Sequence, residues 1–362
     1  REGAHMSLVQ LGAADVVADY GRFDTVIDAR SPSEFAEDHL PGAVNWPVLD
    51  DAERALVGTL HKQDSALAAR KVGAALAARR IADHVEARVA TMPREWQPLV
   101  YCWRGGQRSG SLAWFLGQIG FRTVQLGGGY KAFRALVRDE LERLPTLYRF
   151  VVLCGRTGSG KTRLLQRLAA RGAQVLDLEG LAAHRGSILG AVPGQAQPTQ
   201  KRFDTLVWQA LRGFDPARPV FVESESARIG QARVPERLLQ HMRSAGRCVR
   251  IEMDDEARIA LLLQEYAHFA ADPEGFCRLL DGLIELQGRE TVRQWQAMAR
   301  AGRWAEVFGA LMRQHYDPLY ERSMRRSFGS LDRWPACRLA DGSDAALDAA
   351  AAGLQADPAN AA

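Results

Sequence analysis

The sequence predicts an α/β chain of two parallel-sheet domains in tandem, the second carrying a helical cap. Short apolar runs alternate with helical stretches along much of the 362 residues, as expected of βα units. Two glycine-bearing loops, Cys102-Trp-Arg-Gly-Gly-Gln-Arg108 and Gly155-Arg-Thr-Gly-Ser-Gly-Lys161-Thr162, each follow an apolar strand and open a helix. The length exceeds what one hydrophobic core usually serves, so two domains are expected.

The first domain spans 7–144. Thr25–Asp28, Pro98–Cys102 and Arg122–Leu126 read as strands, and Gly110–Gly117 and Lys131–Glu142 as helices. Ser31-Pro-Ser-Glu34 is a helix start, since Ser31 can cap, Pro32 lacks the amide the first turn would orphan, and Glu34 can reach back. A connector containing Pro145 places the boundary at 145–148. The second domain spans 148–340, with strands expected at Tyr148–Cys154, Gln174–Leu178, Pro219–Val222 and Cys248–Met253. From about 255 to 326 the pattern turns helical and predicts the cap. The Ala-rich segment 341–362 is expected to fray as a disordered tail.

Lys and Arg number 47 against 43 Asp and Glu, and the last 22 residues contribute four Asp and no base. The basic surplus therefore lies ahead of them and suits a polyanionic partner. Arginine dominates it, which also fits an Ala- and Arg-rich genome. Five cysteines without a CxxC pair or zinc spacing argue against a disulfide framework and for a reducing cytoplasm. No apolar run is long enough to span a membrane, and no histidine falls in a metal-ligand grouping.

Cys102 ends a strand ahead of two glycines and a helix start, where backbone amides and the helix N-terminus favour a thiolate. Arg104 and Arg108 add to that effect, and the three are the candidate catalytic residues. Cys154, Cys248 and Cys277 read as ordinary buried thiols. Upstream, Asp28-Ala-Arg30-Ser-Pro-Ser-Glu34-Phe35 and His39-Leu-Pro-Gly-Ala-Val-Asn45-Trp-Pro47, with Gln125-Leu-Gly-Gly-Gly-Tyr130 downstream, resemble the rhodanese signature. The resemblance implies a rhodanese-like fold and a sulfur or selenium atom carried on Cys102. The loop departs from the usual C-x4-R of small sulfurtransferases by one residue, the length of rhodanese-related phosphatases and arsenate reductases. Tyr101 stands where those phosphatases have histidine, which weakens the phosphatase reading.

Gly155-x4-Gly160-Lys161-Thr162 is a full Walker A match in strand-loop-helix context. Gly155, Gly158, Ser159 and Gly160 let successive amides face a phosphate, Lys161 reaches its terminal oxygens, and the Thr162 hydroxyl can ligate Mg²⁺. A P-loop NTPase-like domain is expected. Glu223 and Glu225, ending the strand Val220-Phe-Val, are candidate Mg²⁺-positioning or acid groups. Asp177 and Glu179 end another strand and are weaker candidates.

The two halves in this order resemble the tRNA 2-selenouridine synthase family. Tyr101–Ser109, Val57-Gly-Thr-Leu-His-Lys-Gln63, Glu223-Ser-Glu-Ser226 and His315-Tyr-Asp-Pro-Leu-Tyr-Glu-Arg-Ser323 carry the likeness. It implies a tRNA with 2-thiouridine at the wobble position, geranyl diphosphate and selenophosphate as co-substrates, and selenophosphate synthase as a selenium supplier. The S-geranyl base would be the intermediate, and ATP would not be required. An ATP-dependent kinase or tRNA sulfurtransferase with a rhodanese relay domain is the alternative. Arg322, Arg325, Arg326 and Arg333, with Trp334 for stacking, are candidate RNA contacts in a basic groove expected between the domains. Tyr266, Phe269, Phe276, Leu279, Leu283, Trp295, Trp304 and Phe308 are expected as cap core, a geranyl slot being the alternative.

Overall fold

The computed structural model describes residues 8–328 and 333–361. The chain divides into two compact units between Glu140 and Leu141, a few residues before the expected boundary. The helix Gly129–Arg143 and the 3-10 turn Leu144–Leu147 fill the connector.

In the first unit, β1 (Val9–Leu11), β2 (Thr25–Asp28), β3 (Val44–Asn45), β4 (Pro98–Tyr101) and β5 (Val124–Leu126) form a parallel sheet of order β1-β5-β4-β2-β3. The central β4 is buried along its whole length, as a strand covered on both faces should be, and pairs in register with β2 from Thr25↔Pro98 to Asp28↔Tyr101. Cys102 leaves its carboxyl end. The expected start at Ser31 is a capped helix, Pro32–Glu37, with the Ser31 amide donating to Glu34 Oε2 at 3.1 Å.

Between β3 and β4 the chain inserts two helices, Asp51–Gln63 and Ala66–His84. Each has its own start signal. Asp50 accepts from the Glu53 amide at 2.8 Å while Glu53 accepts from Asp50, and Ser65 accepts from the Ala68 amide at 3.0 Å. The helices meet where Gly73 faces Val57, whose methyl would lie 3.4 Å from a Cβ at that position.

The second unit contains β6 (Phe150–Cys154), β7 (Gln174–Leu176), β8 (Val220–Glu223), a small antiparallel ribbon of β9 (Arg228–Ile229) and β10 (Ala232–Arg233), β11 (Arg247–Glu252) and β12 (Ala336–Arg338). Its five-stranded parallel sheet has the order β12-β11-β6-β8-β7. The chain reverses direction across the sheet at β6, so the Walker loop leaves the crevice where such sheets bind ligands. The cap is helical as expected, with helices at Asp255–Glu265, Pro273–Asp281, Arg289–Arg300, Trp304–Leu311 and Asp317–Phe328. Its aromatic residues form one closed core: Phe276 is fully buried, Trp295 1% exposed and Phe308 3% exposed, with Leu279 and Trp304 packed alongside.

The tail expectation is corrected. Ser343 caps a helix, Asp344–Ala356, that lays Leu347, Ala351 and Leu354 into the core beside Leu164, Leu165 and Leu168 of the Walker helix. Those three recur at helical spacing and make an apolar stripe, which the alanine content of the segment concealed. Arg167 pairs with Asp344 beside it, so an acidic residue of the tail helps dock the helix.

Candidate active sites

In the first unit the signature residues brace the loop. Arg30 is fully buried and grips Asp28 through Nε at 3.0 Å and Nη2 at 2.6 Å. It also donates to the Asp38 carbonyl at 2.6 Å and lies 4.0 Å from the Tyr130 ring centroid. Tyr101 accepts from the Leu40 amide at 3.1 Å, which gives the residue before the cysteine a structural task. The loop is closed from behind by the Tyr130 amide donating to the Cys102 carbonyl at 2.8 Å and the Lys131 amide to that of Trp103 at 3.0 Å. Gly129 makes this approach possible: at φ +57° a Cβ would sit 2.3 Å from the Cys102 carbonyl oxygen, a position no side chain can occupy.

Cys102 itself is 3% exposed, and its Sγ accepts from the Ser109 hydroxyl at 3.1 Å. Gln125 donates to Ser109 Oγ at 2.9 Å and to the Gly105 carbonyl at 2.9 Å, so a buried amide holds both the hydroxyl and the loop. Neither Ser109 nor Gln125 was expected as a site residue, although Gln125 lies in a segment that resembles rhodanese and Ser109 in one that resembles the fused family. Arg104 is exposed. Arg108 is turned to Glu34, at 2.7 Å, rather than to the sulfur. Glu34 gathers Arg54 as well, at 3.1 Å; burial pushes its carboxyl up, but the hydrogen bond and charge of Arg108 outweigh it and hold the group below its usual range. Arg108 is therefore a loop anchor in this geometry.

In the second unit Gly158 and Gly160 take positive φ, +76° and +81°, the conformation that lets successive amides face one anion. Ser159 is 1% exposed and its hydroxyl has no protein partner. Lys161 lies back on its own loop, donating to the Gly155 carbonyl at 2.6 Å and the Arg156 carbonyl at 3.3 Å. Thr162 Oγ1 donates to Glu179 Oε2 at 2.9 Å. Glu223 is 1% exposed; one oxygen accepts from the Glu179 amide at 2.9 Å and the other is orphaned. Glu225 and Glu179 converge on Gly186, whose absent Cβ would lie 3.1 Å from a Glu225 oxygen and 3.0 Å from a Glu179 oxygen.

Burial, reinforced by the neighbouring carboxylates, raises Glu223 well above the usual range and pushes Glu225 up to about 8. Burial raises Glu179 too, against the pull of Lys161. The oxygen donors of Thr162 and Glu179, with the orphaned Glu223 oxygen behind them, fit Mg²⁺. Glu179 is thus the more central of the two residues read as weaker candidates; Asp177 instead caps the helix Leu178–Ala182 by accepting from the Gly180 amide at 2.7 Å.

Around this cluster opens a cleft of about 750 Å³. Lys161, Thr162, Glu179 and Glu225 line it together with the apolar Ile188, Leu262, Leu319 and Met324. The His315–Ser323 segment supports the loop. Arg258, 1% exposed, donates to Asp317 at 2.6 and 3.0 Å and to the Thr157 carbonyl at 2.8 and 3.0 Å, which ties the cap to the Walker loop. Arg322, Arg325, Arg326 and Arg333 are all exposed. Arg325 faces a second cleft on the other side of the loop, shared with Arg156, Arg250 and Arg338, and Trp334 packs edge-on against Phe328 at 5.9 Å.

These two sites define a rhodanese-type thiol domain followed by a P-loop domain. The family model described as a rhodanese-like domain matches residues 13–136, and that of the tRNA 2-selenouridine synthase AAA domain matches 148–275. The chain is 32% identical to a tRNA 2-selenouridine synthase of Alcanivorax borkumensis, over 84% of this chain and 91% of that one. It is also 32% identical to one of Shewanella loihica, over 86% and 91%, and 34% identical to one of Hahella chejuensis, over 83% and 81%. The chain belongs to the tRNA 2-selenouridine synthase family. Among the described residues, no helix is long and apolar enough to cross a membrane.

Proposed function

We propose that this protein converts 2-thiouridine at the tRNA wobble position to 2-selenouridine through an S-geranyl intermediate, with geranyl diphosphate and selenophosphate as co-substrates. Family membership supports the tRNA-modifying activity. The observation that favours a prenyl diphosphate in the Walker cleft is its apolar lining, Ile188, Leu262, Leu319 and Met324, beside a loop built for phosphate. The neighbouring cap core is closed: the small cavity between Leu262, Tyr266, Phe308 and Tyr316 has about 10 Å³, so the open cleft is the place for the chain and the cap interior is not.

In this reading the RNA sulfur attacks the first carbon of the geranyl group, the carbon–oxygen bond breaks, and diphosphate leaves into the loop amides and Lys161. Thr162 and Glu179 would hold Mg²⁺, which supplies charge stabilisation to the departing diphosphate. S-alkylation makes the N3 proton of the base acidic, and it leaves to solvent. Alkylation turns a poor leaving group into a good one. Selenophosphate then delivers selenium at the selenide level in the Cys102 loop, beside the thiol that Ser109 holds: selenium bonds to the pyrimidine carbon, geranylthiolate leaves, and water cleaves the selenium–phosphorus bond to release phosphate.

Calorimetric titration with geranyl diphosphate and with ATP tests the reading. Micromolar geranyl diphosphate binding that needs Lys161, without ATP hydrolysis, is expected. Tight ATP binding with phosphate release and no binding of geranyl diphosphate would favour the kinase alternative.

A further inference from the structure

The inserted helical pair of the first unit buries very little of itself. The helix Asp51–Gln63 has no fully buried residue, and the nineteen-residue Ala66–His84 buries only Ala69 and Ile81. A surface helix normally hides an apolar stripe, yet Leu56 is 50% and Leu67 59% exposed. Between this pair and the cysteine loop lies a cleft of about 1690 Å³, much larger than the one at the Walker loop. Ala74, Ala77, Ile81 and Phe115 contribute apolar lining, and Gly105, Gly106 and Arg108 bring it to the loop that carries Cys102.

Its charged lining is basic, with Arg54 and Arg108 held by Glu34 from behind and Lys62 and Arg70 completing it. Among the described residues no carboxylate lines the cleft. Apolar surface with cations along it, next to the loop that carries Cys102, matches a ligand that is hydrocarbon at one end and polyanionic at the other. We infer that this cleft binds the alkylated RNA: the hydrocarbon substituent on the base sulfur lies against Ala74, Ala77 and Phe115, while Lys62 and Arg70 meet the RNA phosphates. This rests on the S-geranyl intermediate proposed above and assigns it a place separate from the Walker cleft. It also gives a task to the Val57–Gln63 segment, which the Walker chemistry does not use.

The sequence of events explains the need. The thiol that leaves the base carries the hydrocarbon chain, so the chain must be seated beside Cys102 when selenium attacks. A cleft that grips it aligns the pyrimidine carbon with the Cys102 loop, and holds alkylated RNA in preference to unalkylated RNA.

The test is equilibrium binding of two synthetic anticodon stem-loops to the full-length protein without selenophosphate, one bearing S-geranyl-2-thiouridine and the other S-methyl-2-thiouridine. Wild type is expected to bind the geranyl RNA at least about tenfold more tightly, a difference of about 1.4 kcal/mol. Ala74 is exposed, so Ala74→Asp should fold with an unchanged unfolding temperature. It should lose the preference by weakening only the geranyl RNA, and Ala74→Leu should keep it. Equal affinity of wild type for both RNAs, or an undiminished preference in a folded Ala74→Asp, would overturn the inference. So would loss of geranyl transfer from the diphosphate in Ala74→Asp, which would give the cleft to the donor instead. Failure of the underlying reading shows separately: wild type supplied with selenophosphate would then release no 2-selenouridine from the geranyl RNA, whatever the binding.

Discussion

Ser109 and Gln125 show how a single thiol is prepared. The Ser109 hydroxyl reaches Cys102 Sγ at 3.1 Å and is itself fixed by Gln125, so the sulfur has a donor whose position is set by a buried amide. Removing one such hydrogen bond costs about 1 kcal/mol, so Ser109→Ala should slow selenation about fivefold while geranyl transfer stays unchanged, read by nucleoside mass analysis over time. In the second unit Glu225 carries a pH signature. Its carboxyl is pushed up to about 8 by burial and by Glu179, so the fold favours the protonated form. Its contribution to stability is therefore complete below the ordinary glutamate value of about 4.3 and is lost as pH rises through about 8. Glu225→Gln should flatten the fall in unfolding temperature over that interval; an unchanged slope would show that the pair with Glu179 does not couple protonation to folding.

Elements explain what the sequence made legible. Strands beside the two loops were readable because parallel strands are continuous apolar runs, as in Phe150–Cys154. The short β3 and β12 were not, since two or three residues at a sheet edge carry no period. The tail helix was hidden by its alanines, whose stripe becomes visible only against the Walker helix it covers. Deleting the chain from Gly342 should destabilise the second unit by about 3–6 kcal/mol, from Leu347 and Leu354 at roughly 1.5–3 kcal/mol each, while the unfolding of the first unit is unchanged in calorimetry. Arg258 belongs to the same scale: its ion pair with Asp317 joins the cap to the Thr157 carbonyl. Arg258→Ala takes away the close buried partner of Asp317 and leaves it only Arg156 at 3.9 Å, at a cost of about 3–5 kcal/mol. It should also weaken geranyl diphosphate binding, because the Walker loop loses its anchor.

For the molecule as a whole, the sequence motifs marked the two loops, and the fold adds the partners that surround them. Glu179 reaches Thr162 only because β7 and the Walker helix share one crevice, and Arg108 turns to Glu34 because the first turn of the helix after β2 lies beside the cysteine loop. Basic residues were legible as a count and not as a surface, since surplus charge has no sequence period. The exposed Arg325 and Arg326 are the clearest test of the RNA face: alanine at both should weaken tRNA binding and reduce its salt slope by about two.

The central claim is that the two loops perform successive steps on one base. It is tested most directly by mass analysis of tRNA nucleosides after incubating 2-thiouridine tRNA with geranyl diphosphate and selenophosphate, using wild type, Lys161→Ala and Cys102→Ala. The account predicts 2-selenouridine from wild type, unaltered 2-thiouridine from Lys161→Ala, and accumulated S-geranyl-2-thiouridine from Cys102→Ala. Geranylated tRNA from Lys161→Ala, or normal 2-selenouridine from Cys102→Ala, would contradict it.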